Sequence, residues 1–183
     1  MTPRRPIPSL RHALALVAGC ILALMSGLAA AQSQRTFVAS YGDDASASCS
    51  LALPCRSFNA AIAKTNPNGE VIILDTAGYG PMTITKALKV IGPAGVYGGI
   101  SVITAGSTGV TINAGNSDIV ILRGLDVSGL GGQYGIDIQN AGAVHIEKTS
   151  VSNFGTVGNE NCIRMATARE IKLYIVDSLI REC

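Results

Sequence analysis

The sequence predicts an all-β protein that folds as a β-solenoid of three to four coils, preceded by one short helix. Two observations support this prediction. After Glu70 the apolar segments are short, rich in Val and Ile, and separated by Gly, Asn, Asp or Ser turns, which is typical of β-strands. The segments also return in a fixed order every 24 to 29 residues, with loops of variable length between them. Such a repeat indicates a solenoid, whose coils stack on one another.

An ordinary β-sandwich is the alternative to this fold. A sandwich needs hairpin turns such as Asn-Gly between long alternating strands. No such turn follows Gly69, so the sequence favours the solenoid.

The repeat is clearest in three copies of a two-strand unit. These copies comprise residues 120–122 with 125–128, 144–146 with 149–152, and 173–175 with 178–181. An earlier and looser copy is predicted at 83–85 with 88–91. One further strand lies before each copy, at 71–74, 110–112, 136–138 and 163–165. We therefore expect three strands in each coil.

The first 31 residues have the pattern of a secretory signal peptide. Three Arg residues precede an apolar run at 13–25, and the small residues 29–31 come directly before Gln32. We expect residues 1–31 to be removed and the mature chain to be secreted or periplasmic.

Two alternatives stay open for this segment. One is a retained membrane anchor, although Ser26 and Gly27 interrupt the apolar run. The other is lipidation of Cys20, because residues 17–20 loosely fit a lipoprotein cleavage box. The apolar run continues beyond Cys20, where a lipoprotein normally becomes polar, so we favour cleavage before Gln32.

Cleavage changes the charge of the chain. The net charge of +2 becomes −1, because three Arg and no acidic residue are removed. This composition argues against a polybasic nucleic-acid binder, and we expect no membrane contact after cleavage. His145 is then the only histidine, which excludes a zinc site built on several His side chains.

Four cysteines remain in the mature chain, and an even number in an exported protein favours disulfides. Cys49 and Cys55 are expected to form a local bridge around a short loop. Cys162 and Cys183 would then form the second bridge, with free buried thiols as the alternative for this pair.

The mature chain is predicted to have an N-terminal region, residues 32–69, before the coils of residues 70–183. A short strand at 37–40 comes first. A helix follows at 57–64, in which Phe58 and Ile62 share one face and Ser57 is placed to cap the N-terminus. Residues 66–69 read Asn-Pro-Asn-Gly and are predicted to end the helix in a turn.

The sequence resembles the right-handed parallel β-helices of the pectin-lyase-like superfamily. The residues that carry the resemblance are 37–40, 54–58, 69–74, 83–86 and 90–92, and it extends over residues 36–183. It implies a right-handed parallel β-helix whose N-terminal end is closed by the helix. In related lyases and hydrolases the substrate groove runs along the sheet that would contain residues 136–138.

Strand alternation identifies the side chains on the outer face of that sheet. Asp137 and Arg164 are predicted to point outward in one column of stacked coils, with Thr111 or Ser101 before them. The loops entering the sheet are expected to carry three aromatic residues, Tyr97, Tyr134 and Phe154.

Such a face could bind a polysaccharide. Aromatic rings would stack on sugars, and hydrogen bonds to hydroxyls or carboxylates would come from Asp137, Arg164, Asn113, Gln139 and Asn140. The alternative is structural: loop aromatics that pack over a coil end, and an Asp137–Arg164 surface pair of little energetic weight.

The patterns of catalysis in the resembled family are missing. We find neither the acidic calcium cluster of pectate lyases nor the paired Asp motifs of galacturonases. Arg123 and Glu147 occupy equivalent positions of successive coils and are expected to form an ion pair. The sequence therefore predicts an exported β-helix that recognises polysaccharide or another cell-surface ligand without a catalytic constellation or cofactor. The alternative is a fragment of a pectate-lyase-like enzyme, which would use calcium, or of a glycoside hydrolase.

The last residues, 179–183, end just after the third strand of a coil, with no polar cap. Solenoids normally protect such an end. We therefore expect either a C-terminally truncated chain or end-to-end pairing with a partner.

Overall fold

The computed structural model describes residues 33–155 and 160–183. The predicted signal peptide and the alternative lipidation site at Cys20 lie outside these residues. The described part contains 15 strands and one helix. In chain order they are β1 Ser33–Val38, α1 Phe58–Lys64, β2 Thr65–Ile73, β3 Ala77–Gly78, β4 Met82–Ile84, β5 Leu88–Ile91, β6 Gly98–Val102, β7 Thr108–Asn113, β8 Ile119–Arg123, β9 Leu125–Gly129, β10 Tyr134–Asn140, β11 Ala143–Glu147, β12 Ser150–Ser152, β13 Asn161–Met165, β14 Lys172–Val176 and β15 Leu179–Arg181.

The strands form three sheets in which every neighbouring pair is parallel. Sheet A has the order β1-β2-β5-β8-β11-β14, sheet B the order β15-β12-β9-β6-β3, and sheet C the order β13-β10-β7-β4. From β4 onward the chain visits sheets C, A and B in turn, so each strand pairs with the strand three elements later. The all-β prediction is confirmed, and the three parallel sheets are consistent with a β-solenoid.

The core is built from aliphatic side chains that stack in register on the inner side of each sheet. In sheet C, Ile84 pairs with Ile112, and Ile112 pairs with Ile138. All three side chains are fully buried. Sheets A and B continue the core with equivalent columns, Val90, Leu122 and Ile146 in one and Ile100, Val127 and Val151 in the other. The short Val and Ile segments of the sequence thus line a single core.

Helix α1 forms where the sequence predicts it. The Ser57 side chain accepts a hydrogen bond from the Ala60 N–H, which satisfies one of the free donors of the first turn. Phe58, Ala61 and Ile62 are buried on the side of α1 that packs against β1, β2 and β4. The helix therefore lies at the first strands of sheets A and C.

The predicted turn at 66–69 is different in the structure. These residues belong to β2, which begins at Thr65, and they lie opposite a register irregularity between Ser33 and Arg35 of β1. Asn68 has a φ of 63°, so the Asn and Gly of the turn signal are used in an irregular part of a strand. β1 also begins earlier than the predicted strand at 37–40.

In three of the four predicted copies of the repeat, the strands pair with one another in the expected register. Val144 lies between Val120 and Leu173, and Ser150 lies between Asp126 and Leu179. The earliest copy is wrong by one strand, because β4 belongs to sheet C and β5 pairs with β8 in sheet A. The strand predicted at 71–74 is also on a different sheet. Residues 71–73 belong to β2 of sheet A, whereas the equivalent predicted strands at 110–112, 136–138 and 163–165 lie in sheet C. Short Val and Ile strands look alike on all three sheets, so their pattern does not reveal which sheet each joins.

Both predicted disulfides are present, Cys49–Cys55 and Cys162–Cys183. The second joins the start of the last coil to the residues beyond β15, so the free-thiol alternative does not apply. Two disulfides indicate a non-reducing environment.

Of the helices that the structure describes, none has the length and apolar character needed to cross a membrane.

Substitution of Ile112 tests the core. Ile112→Ala should lower the free energy of unfolding by about 2–5 kcal/mol, because a fully buried aliphatic side chain leaves a cavity. Thr111→Ser, one residue earlier on the outer face of β7, should change it by less than about 0.5 kcal/mol. Urea unfolding followed by circular dichroism measures both. Equal losses from the two variants would contradict the inward orientation of Ile112.

Candidate functional site

A column of polar side chains runs across the outer face of sheet C. Parallel pairing aligns Thr83 with Thr111, Thr111 with Asp137, and Asp137 with Arg164. The structure thus decides between the two predicted neighbours of Asp137 in favour of Thr111. Ser101 lies in sheet B, where it pairs with Ser128.

Arg164 and Asp137 form a bidentate ion pair at the centre of this face. Arg164 Nε donates to Asp137 Oδ1 at 2.7 Å, and Arg164 Nη2 donates to Oδ2 at 2.8 Å. Gln139 Nε2 donates a third hydrogen bond to Oδ2, also at 2.8 Å. The Asp137 side chain is only 3% exposed, whereas that of Arg164 is 36% exposed. Arg164 therefore covers the carboxylate and presents its own outer edge to solvent.

Tyr134 completes the group. The guanidinium carbon of Arg164 lies 3.8 Å from the centroid of the Tyr134 ring, which is a close cation–π contact. Tyr134 begins β10, and Asp137 and Gln139 follow on the same strand. We call these four residues, Tyr134, Asp137, Gln139 and Arg164, the Arg164 cluster.

The cluster favours the charged form of Asp137. Burial alone would raise the pKa of this carboxyl, but the hydrogen bonds from Arg164 and Gln139 and the positive charge of Arg164 outweigh burial and lower it. Both carboxylate oxygens already accept hydrogen bonds. Asp137 consequently serves to hold Arg164 in place and is poorly placed to exchange protons with a ligand.

Arg164 keeps donors for a ligand. A guanidinium has five N–H groups, and two of them bind Asp137. Carboxylates and hydroxyls are natural acceptors for the others. Chemically, the cluster is a fixed hydrogen-bond donor beside an aromatic ring.

The predicted asparagines lie at the last residues of β7 and β10. Asn113 ends β7, is exposed, and is in register with Asn140 at the end of β10. Asn140 Nδ2 donates to Ala114 O and to Asn116 Oδ1, both at 2.8 Å. Its Oδ1 is buried without a hydrogen-bond partner among the described residues. Asn140 directly follows Gln139 on β10, but its amide binds Ala114 and Asn116, so it does not join the Arg164 cluster.

Two of the three predicted aromatics are not on this face. Tyr97 precedes β6 and lies at sheet B, because the loop after β5 leads from sheet A to sheet B. Its Oη donates to Asp126 Oδ1 at 3.5 Å. Phe154 is fully buried in the core. The structural alternative thus holds for Phe154, and only Tyr134 lies beside Asp137 and Arg164.

The second stacked ion pair is confirmed on sheet A. Arg123 Nε donates to Glu147 Oε2 at 2.8 Å, and the Nη2–Oε2 distance is 2.6 Å.

Across residues 33–155 and 160–183, no group of three or more His, Cys, Asp or Glu side chains is arranged to hold a metal ion.

Sequence reasoning missed a cavity that lies at the turns between sheets A and B. It is lined by the loop 92–97, by Arg123 and Asp126, and by Lys148 and Ser150. The signal that could have identified it is the length of that loop, which exceeds every other turn from sheet A to sheet B in the described residues.

Comparison of the chain with protein-family models, with curated proteins and with solved structures found no match.

The Arg164 cluster should make stability depend on pH. Because the pKa of Asp137 is lowered on folding, its contribution to stability is present above the unfolded-state pKa of about 4 and is lost as the pH falls below it. The double variant Asp137→Asn/Arg164→Gln should therefore lose less unfolding free energy than the native chain between pH 7 and about pH 3. Urea titrations at both pH values measure this.

Thr111→Val is the control for this experiment, since it alters the same column without a titratable group. It should retain the native pH dependence. An unchanged pH dependence in the double variant would show that the ion pair does not hold Asp137 in its charged form.

Proposed function

We propose that this protein is an exported right-handed parallel β-helix that binds polysaccharide on the outer face of sheet C. The observation that carries the proposal is the Arg164 cluster, in which an ion pair and a cation–π contact hold a partly exposed guanidinium beside an aromatic ring. Preorganised donors reduce the entropy lost on binding.

A general rule of parallel sheets supports the right-handed sense of the proposed β-helix. Connections that return to the same sheet as a parallel strand are right-handed in about 98% of cases. Every sheet in the described part of the chain is parallel, and its strands are joined by such returns. Together with the resemblance to the pectin-lyase-like superfamily, this supports a right-handed β-helix.

Export is supported by two independent features. The first 31 residues have the order of charge, apolar run and small residues of a signal peptide. The two disulfides are stable in the periplasm or outside the cell. The protein would therefore encounter polysaccharides at the cell surface or in the medium.

The sheet itself suits an extended ligand. Neighbouring strands lie about 4.8 Å apart, so Thr83, Thr111 and the Asp137–Arg164 pair occur at regular steps along the stack. A chain lying across the strands would meet one coil after another. Threonine hydroxyls would bind sugar hydroxyls, and Arg164 would bind a hydroxyl or a carboxylate.

The state of Asp137 favours binding over hydrolysis at this face. Glycoside hydrolysis uses two carboxyl groups about 5–10 Å apart, one of which carries or accepts a proton. Asp137 has both oxygens bound and a lowered pKa. Asp126 lies on another sheet, beside Ser150.

Affinity electrophoresis tests the proposal. The secreted protein would be run through gels that contain polygalacturonate, glucuronoxylan or dextran, and retardation would give the dissociation constant. The variant Asp137→Asn/Arg164→Gln keeps hydrogen-bonding groups but removes both charges. It should bind at least about tenfold more weakly, because a hydrogen bond to a charged group contributes about 1.5–3 kcal/mol.

Arg35→Gln/Glu70→Gln is the matched control. It removes an Arg–carboxylate pair between neighbouring strands of sheet A, in which both Arg35 nitrogens donate to Glu70 Oε2, and it should leave binding unchanged. Retardation by none of the polysaccharides, or an equal loss in both variants, would overturn the proposal. Release of reducing or unsaturated ends from the same polysaccharides would favour the enzyme alternative instead.

A further inference from the structure

A cavity of about 540 Å³ lies where the chain turns from sheet A into sheet B. Its wall includes residues of three successive coils, from the loop 92–97, from Arg123 to Asp126, and from Lys148 and Ser150. Small-molecule sites have volumes of about 300–1,000 Å³. The cavity is on a different side of the protein from the Arg164 cluster, and its role does not depend on binding at sheet C.

The cavity exists because one turn is much longer than its neighbours. Six residues, 92–97, join β5 to β6, whereas Gly124 alone joins β8 to β9 and two residues join β11 to β12. The short turns use the left-handed region, with φ of 68° at Gly124 and 48° at Lys148. Residues of the long loop line the cavity together with Gly124 and Lys148 of the short turns. In repeat proteins such an insertion often marks the binding face.

Tyr97 supplies an aromatic surface in this cavity. Its ring lies against Gly99, where a Cβ atom would collide with it, so the glycine makes room for the ring on sheet B. Its backbone is held on both sides, by a hydrogen bond from its N–H to Thr76 Oγ1 and by one from the Ala77 N–H to its carbonyl. The residue is 45% exposed. An apolar face of a ligand can therefore stack on a ring that is already positioned.

Asp126 supplies a hydrogen-bond acceptor next to this ring. It accepts the Tyr97 hydroxyl at 3.5 Å, and its neighbour in register is Ser150, which also lines the cavity. Burial, and then the charge of Asp126, raise the pKa of Tyr97, so the phenol keeps its proton. Since a carboxylate only accepts, a ligand at Asp126 must provide donors such as hydroxyl groups.

Lys148 supplies a positive charge. Arg123 also lines the cavity, but Glu147 pairs with it. The Lys148 side chain is exposed, and within the described part of the chain no carboxylate lies within ion-pair distance of it. An ammonium group only donates, so its best partner is an anionic acceptor.

We infer that this cavity binds one pyranose unit that carries an anionic group, a carboxylate or a sulfate. The ring face of the sugar stacks on Tyr97, its hydroxyls donate to Asp126, and its anionic group binds Lys148. A simple inorganic anion would be repelled by Asp126 and would leave Tyr97 unused. A neutral sugar would leave Lys148 without a partner.

Amide chemical-shift titration of the ¹⁵N-labelled secreted protein tests this inference. The probes are glucuronate, glucose 6-sulfate and glucose, so that carboxylate, sulfate and neutral sugars are compared separately. We expect shifts at 92–97, 124–126 and 148–150 with at least one anionic sugar, and affinity for glucose about tenfold weaker. Shifts confined to β7, β10 and β13 would place binding on sheet C only and would overturn the inference without affecting the proposed function.

Lys148→Asn is the decisive variant. Asn tolerates the left-handed conformation of this turn, so the fold should be retained. The variant should bind the anionic sugar about tenfold more weakly, while glucose binding stays unchanged. Asp177→Asn is the matched control, because Asp177 has a φ of 49° in the equivalent turn of the next coil and does not line the cavity. It should leave both affinities unchanged.

Tyr97→Leu is a second variant that separates stacking from charge. It should weaken binding of the anionic and the neutral sugar by the same factor. Equal affinity of the native protein for all three probes, or an unchanged affinity in Lys148→Asn, would overturn the inference.

Discussion

In-register pairing of parallel strands is the constraint on which the rest of this structure depends. Each coil places its strands against those of the next coil, so residues at equivalent positions stack about 4.8 Å apart. Because side chains alternate between the two faces, stacking produces both the aliphatic columns of the core and the polar columns outside. Asp137 and Arg164 form an ion pair for this reason, although 27 residues separate them in the chain. The same constraint aligns Arg123 with Glu147 on sheet A.

The turns have much more freedom than the strands. A strand that changed its length or register would lose ladder hydrogen bonds, whereas a turn can lengthen outward into solvent. Turns of one or two residues need the left-handed conformation, as at Gly124 and Lys148. The six-residue loop 92–97 also has one left-handed residue, Gly95, and it lines a cavity together with the turns of the next two coils. Sites on this fold therefore arise in two ways, from stacked columns on a sheet and from unequal turns at a corner.

Much of the fold could be predicted from local patterns. The Ser57 cap and the buried face of α1 follow from residue spacing within one turn of helix. The later coils follow from a repeat whose copies keep the same spacing between their two strands, and these strands pair in the expected register. The first coil was predicted one strand out of place, because the long loop after β5 disguises the offset. Tyr97 was assigned to the wrong sheet for the same reason, and Phe154 is a core residue although it follows a strand in a loop.

The sequence by itself determined the strand-rich fold, the order of the repeats, the capped helix and the even set of cysteines. These features depend on alternation, turn residues and spacing, all of which are local. Only the tertiary structure decided which sheet each strand joins, that Thr111 and not Ser101 lies beside Asp137, and that Arg164 covers that carboxylate against Tyr134. It also decided that Tyr97, Asp126 and Lys148 share one cavity. These residues are brought together by contacts between coils, and the strength of such contacts depends on register and burial, which no local pattern specifies.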